Sequence, residues 1–445
     1  MARPFLTRVS LEHFALGASM LVFAQAFLRF FATGSGDLKD GDWRIQIILA
    51  LFYAAIGLIG VMHLNPTIRA ALRAPGLIAL LILAAASALW ASLPTVALRR
   101  AAGVGGASLF GVILASRLSF QDQLLLLRKV LRFAAACCLA LWALKLATGM
   151  DFVTMGQSSN PMADGVDADA LRGIFGHKNG LGAMMALAIL VDWHLPVRGT
   201  LAKTIRIGWF CGYAALLYFA NSATALVACA ATLAVLYTVK KFRNQYGLLF
   251  PLLSLASLIG AAVLALFRDE AMQVLGRSSD LTGRTDLWHW VIIMIMKRPW
   301  LGYGYSSFWR GGSDQSDVIE AHIGWSPIYA HDGYLELALS VGLIGLLIFL
   351  VVIVQGLWRA VVRAKNAQEL QDLWPLAFLV FFVLHNFGEC TILLQNNLEW
   401  ALCIAVLVRS HPAYALASQA QLAESDSDSQ HAEPDAALPL EPEYN

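Results

Sequence analysis

Residues 334–356 read YLELALSVGLIGLLIFLVVIVQG, and this run decides the fold class. As a helix it would be about 34 Å long, enough to cross a hydrocarbon core of about 30 Å. Comparable apolar runs fall at about 14–33, 43–62, 76–93, 97–116, 130–148, 179–195, 207–221, 223–239, 248–267, 373–390 and 391–408. Backbone groups in lipid must find their hydrogen bonds inside the chain, which helices provide. The pattern therefore predicts an all-α polytopic membrane protein of about 12 transmembrane helices.

Composition agrees with this reading. Of 445 residues, 58% are hydrophobic and 14% are charged, with a mean hydropathy of +0.63. Soluble domains carry about 25% charged residues, so this chain could not solvate its surface in water. A net charge of +2 without a dense Lys/Arg run excludes nucleic acid as a partner and leaves the lipid bilayer. Cys137, Cys138, Cys211, Cys229, Cys390 and Cys403 lie in or beside apolar runs with no C-x-x-C pair, which predicts small core residues. The run at 97–116 is the weakest, because Arg99 and Arg100 stand at its start. Its Gly103, Gly105, Gly106 and Gly111 predict close helix packing, not a phosphate loop, since no lysine follows them.

Basic residues set the orientation. Arg3, Arg8, Arg69, Arg73, Arg117, Arg128, Lys129, Arg132, Arg198, Lys203, Arg206, Lys240, Lys241, Arg243, Arg359, Arg363, Lys365 and Arg409 share one set of loops. The positive-inside bias then makes both termini cytoplasmic. Two long segments fall on the outer side, at about 149–178 and 268–333. Within the second, Leu287–Met296 is too short to span and is predicted to lie along the membrane surface. The division is 1–170 as N-terminal helices, 171–408 as a core that includes the loop 268–333, and 409–445 as an acidic tail predicted to be disordered.

The outer loop carries the chemistry. It holds Gly283-Arg284-Thr285-Asp286, then Pro299-Trp300-Leu301-Gly302-Tyr303-Gly304, then His331-Asp332-Gly333-Tyr334. An arginine suits phosphate oxygens through paired, permanently charged donors, and a histidine can accept a proton near neutrality. Together they point to transfer from a phosphate-linked donor to a hydroxyl. Arg284 could equally pair with Asp280, Asp286 or a lipid headgroup. The aromatic residues around Trp288, Trp300, Tyr303 and Trp325 suit an interfacial belt as well as sugar stacking.

These stretches resemble the O-antigen ligase/polymerase family, with its Wzy-type polymerases, WaaL-type ligases and related exopolysaccharide polymerases. Leu171-Arg172-Gly173-Ile174-Phe175-Gly176-His177-Lys178-Asn179 is similar to the family's R-G-x-F-x-x-x-N segment. Gly283-Arg284 followed by Pro299–Gly304 resembles its G-R…P-x-x-G-x-G block. His331-Asp332, nine residues, then Gly342-Leu343-Ile344-Gly345 resembles H-[NSQ]-x9-G-x-x-G. The resemblance covers about 170–405. It implies a GT-C-like fold with a long periplasmic loop, and a metal-independent, cofactor-free, inverting glycosyltransferase in the bacterial inner membrane. The donor would be an undecaprenyl-pyrophosphate-linked oligosaccharide and the acceptor a second glycan, with other polysaccharide-assembly proteins as further partners. It casts Arg284 and His331 as catalytic. Arg172, Lys178, Asn179, Tyr303, Tyr334 and Glu389 become substrate contacts; Glu389 and Glu399 could each be a sugar ligand or equally an ordinary helix-end carboxylate.

Two departures bear on the branch. Asp332 stands where the family has an amide or serine, and Asn221-Ser222-Ala223-Thr224 lacks the arginine of the family's Ser-Arg pair. That absence favours a polymerase over a ligase and leaves Arg172 or Lys178 as substitutes. Asp167-Ala168-Asp169 is the one D-x-D pair in the two long outer segments, with no further ligands beside it, so no metal site is expected. A transporter of lipid-linked glycan would carry facing charges at mid-span. Here Arg29 and Lys145 fall near span ends and His385 is the exception.

Overall fold

The computed structural model describes residues 8–31, 42–155, 168–242, 282–309 and 314–414. These form fourteen α-helices: α1 Arg8–Phe23, α2 Trp43–Met62, α3 Leu64–Leu72, α4 Pro75–Ala86, α5 Pro94–Arg117, α6 Phe120–Thr148, α7 Lys178–His194, α8 Thr200–Phe219, α9 Ala223–Phe242, α10 Thr282–Lys297, α11 Asp314–Ile323, α12 Gly333–Lys365, α13 Trp374–His385 and α14 Leu398–Arg409. No strand occurs among the described residues, only an isolated bridge between Thr154 and Leu171. The run expected at 248–267 and the acidic tail beyond residue 414 lie outside them.

Four described helices are long and apolar enough to cross a membrane: α2, α5, α9 and α12. A fifth is obtained if α3 and the α4 segment, bent by 91°, are taken as one span. Several expected spans are built differently. The runs at 373–390 and 391–408 give α13 and α14, each of 12 residues, or about 18 Å. Between them residues 386–397 are irregular and at least half-buried throughout. Irregular backbone at that depth survives only inside protein or against a water-filled cavity. The apolar run could not reveal it, because Thr391–Leu394 is apolar as well.

α14 is the buried centre and lies along α5. Trp400 donates from Nε1 to Ser108 at 2.9 Å, and Arg409 to the Ala115 carbonyl at 3.1 Å. The glycines of α5 permit this approach: a Cβ on Gly111 would stand 2.3 Å from the Ala401 carbonyl, and one on Gly106 2.3 Å from the Tyr53 ring. On the other flank Asp192 of α7 accepts from Arg132 of α6 and Tyr213 of α8, both at 2.9 Å. That buried network ties three helices together.

α12 is broken at Gly342, where φ is 74° and ψ −179°. The loop at 299–304 fills the break. Tyr303 and Gly304 donate to Leu339 and Ser340 at 2.9 and 3.0 Å, while Leu343 donates to Pro299 at 2.7 Å. The loop's glycine-containing block and the G-x-x-G of α12 are thus two halves of one joint. A Cβ at Gly342 would stand 2.0 Å from the Trp300 carbonyl, and one at Gly302 2.5 Å from that of Leu339. Gly342→Ala combines left-handed strain with overpacking and should destabilise the fold by at least about 3 kcal/mol. A wild-type melting temperature in detergent for this variant would contradict that joint.

Candidate functional site

The site forms where α5, α7, α12 and α14 begin. Asp332 caps α12, its Oδ1 accepting from the amides of Tyr334 and Leu335 at 2.9 Å each. Asp, Asn and Ser are interchangeable as N-caps, which accounts for the aspartate at this family position. Burial raises its carboxyl to about 6, against the pull of the two amides. The folded state thus binds the proton more tightly than the unfolded chain, so stability falls as pH rises from about 4 to about 6 and is level above. Asp332→Asn should keep the cap and gain on wild type across that window. Asp332→Ala should lose about 1 kcal/mol; thermal melts at pH 4.5 and 7 check both.

His331, immediately before the cap, adopts φ +54°. A mesh of bonds fixes its loop. Glu336 accepts from the Ala330 amide and Trp309 Nε1, both at 2.8 Å, and Trp288 Nε1 donates to the Ala330 carbonyl at 2.9 Å. Gly333 donates to the Asn386 carbonyl at 2.8 Å. The imidazole packs on Tyr329 with ring centres 4.3 Å apart, and its Nδ1 is buried without a hydrogen-bond partner among the described residues. Burial, then the charges of Arg284 and His177, hold it well below the ordinary histidine range. It is therefore neutral at pH 7.

Arg284 projects from the first turn of α10 and donates from Nη1 to the Gly388 carbonyl at 3.1 Å. The next residue, Glu389, accepts from Asn179 Nδ2 in the first turn of α7. Glu389 and Asn179 open onto a cavity of ≈ 540 Å³, whose wall also includes Arg100, Glu336, His385 and Glu399. His385 and Glu399 form a buried pair at 2.9 Å. Residues 390–397 complete the wall, which explains how the irregular segment is tolerated.

The structure brings Arg284, His331, Asn179 and Glu389 together and separates the rest of the expected set. Tyr303 donates to the Met294 carbonyl at 2.9 Å and is buried, and Tyr334 donates to that of Val383 at 2.9 Å. Both hydroxyls face the protein framework. Lys178 is buried as the first residue of α7 and does not line the cavity. Arg172 sits beside Arg29 and Asp151 and does not line the cavity, its guanidinium pKa lowered by burial. Asp169 is described but Asp167 is not, so the D-x-D pair lies partly outside the described residues. Arg100 went unread because a charge in an apolar run looks like a weak span. A cation about one and a half turns inside α5, at the start of that run, was itself the signal.

These features define a multi-pass membrane protein with a cavity that mixes charged and apolar side chains and is walled by broken helices. Residues 209–350 match the family model described as O-Antigen ligase. The chain is also 29% identical over 118 residues to the exopolysaccharide production protein ExoQ of Rhizobium meliloti (strain 1021), a match spanning 26% of each chain. The alignment thus covers about a quarter of that relative. Both matches bear out the resemblance to the O-antigen ligase/polymerase family and support a membrane protein of polysaccharide assembly. The family-matched segment contains Arg284, the 299–304 loop, His331 and Gly342.

Proposed function

We propose that the protein is a membrane glycosyltransferase that polymerises undecaprenyl-pyrophosphate-linked oligosaccharide repeats. The observation that carries this reading is the pairing of Arg284 with a neutral His331 beside the Glu389–Asn179 wall of the cavity. The acceptor hydroxyl oxygen bonds to the donor's anomeric carbon from the face opposite the diphosphate, and the anomeric C–O bond to diphosphate breaks. The hydroxyl proton passes to His331. The lipid diphosphate leaves with the bonding electrons, and Arg284 stabilises the charge developing on it. Glu389 accepts from sugar hydroxyls. The excess of basic residues in one set of loops supports cytoplasmic termini and a site at the periplasmic face of a bacterial inner membrane.

A ligase would run the same chemistry onto lipid A core. The absence of arginine beside Ser222 favours the polymerase, and the similarity to an exopolysaccharide production protein supports a role in polysaccharide assembly. Protein in nanodiscs, given one lipid-linked repeat and excess EDTA, should build a ladder of longer lipid-linked chains. Product only after addition of lipid A core would make it a ligase. Passage of lipid-linked glycan across the bilayer without any new glycosidic bond would make it a transporter. Activity lost in EDTA and restored by magnesium would overturn metal independence.

A further inference from the structure

Arg100 lies on α5, a membrane-spanning helix, about 9 Å along the axis from Pro94. Its guanidinium stays charged at any physiological pH. Among the described residues its one hydrogen bond is from Nη1 to Ser306 Oγ at 2.5 Å, and no carboxylate lies within ion-pair distance. The carboxylates that share its cavity are engaged elsewhere. Glu336 is held by Trp309 and Ala330, Glu389 by Asn179, and Glu399 by His385. A cation inside a span is expensive and faces a partner or a water-filled path. Here the described residues supply one neutral oxygen and leave most of the donor fork to whatever fills the cavity.

Ser306 is built into that position. It holds φ +54°, costly for a residue with a Cβ. Its neighbours pin it to the α4–α5 junction: Tyr305 donates its amide to Ser87 Oγ at 2.7 Å, and Ser307 Oγ accepts from the Leu93 amide at 3.1 Å. Arg284 does not line this cavity; it donates to Gly388, the residue before Glu389 of the wall, and its charge reaches Glu389 and Tyr329 from behind. Arg100 thus faces the cavity directly, whereas Arg284 stands behind its wall.

We propose that Arg100 binds an oxyanion of the substrate inside the cavity, a phosphate of the lipid carrier or a carboxylate on a sugar, as an anion subsite separate from Arg284. The proposal rests on the reading of this cavity as a lipid-linked glycan site. A polymerase must seat two such molecules at once. A second anion subsite would hold the acceptor while Arg284 grips the donor.

Binding without turnover tests it. Calorimetry on the full-length protein in detergent would compare farnesyl diphosphate with farnesol, and a glucuronate-containing oligosaccharide with its all-glucose counterpart. Arg100→Gln should weaken one anionic probe about ten- to a hundredfold, leaving the neutral probes unchanged and the Arg284→Gln protein still sensitive to Arg100. Loss on the diphosphate identifies phosphate, and loss on the glucuronate identifies a sugar carboxylate. If Arg100→Gln fails to fold, Ser306→Ala decides, with a severalfold loss expected on the same probe. Wild-type affinity for both anionic probes in the deciding variant would overturn the proposal, even in an enzyme that polymerises normally. Arg100-dependent binding by a protein that makes no polymer would sink the polymerase reading and leave this one standing.

Discussion

Arg284→Lys is expected to lower glycan transfer about a hundred- to a thousandfold, the cost of removing one transition-state donor. Lysine keeps the charge and loses the fork. The guanidinium can give one N–H to the Gly388 carbonyl and still present a pair to diphosphate oxygens. An ammonium is a point charge and cannot hold both directions. The residue is half-buried at the start of α10, outside the large core around α5 and α14. Protein level and melting temperature should therefore stay near wild type while single lipid-linked repeats accumulate. Near-normal polymer from this variant would remove the anion-stabilising role.

His331→Ala should slow transfer by roughly 10²–10⁴, with a pH signature that separates chemistry from packing. Burial and the neighbouring cations keep the imidazole well below the ordinary histidine range. The wild-type rate should therefore persist as pH falls through 6.5, where an unperturbed histidine would already be half protonated. The profile is best taken in the Asp332→Asn background, because the Asp332 carboxyl titrates at about 6 beside it. In that background an acid limb centred at 6.5 or above would contradict a depressed imidazole. A rate unaffected by His331→Ala would end its assignment as the base, and transport would become the stronger reading.

The helical membrane architecture was legible in the sequence because twenty apolar residues have few other uses. The count of spans was less so. Hydropathy sees apolarity and not hydrogen bonds, so it could not separate α13, residues 386–397 and α14 from two plain crossings. The site was legible where a motif combines a charge with a structural duty, as at Gly283-Arg284 and His331-Asp332. It failed where a hydroxyl's direction matters. Tyr303 and Tyr334 look like sugar ligands until Met294 and Val383 are seen accepting from them. Arg100 was hidden because its meaning comes from Ser306 and the cavity, about 200 residues away in sequence.

In an unbroken helix, one inserted residue turns everything beyond it by about 100°. α12 escapes this coupling at Gly342. The turns that carry His331 are phased by the 299–304 loop, through Leu339 and Ser340, and the lower stalk is bonded separately to Pro299. The direction in which the histidine faces therefore depends on this loop and on the bonds around Ala330 and Gly333, not on the pitch of the stalk. The lipid-facing stalk can drift in length and composition among relatives without swinging the imidazole away from Arg284.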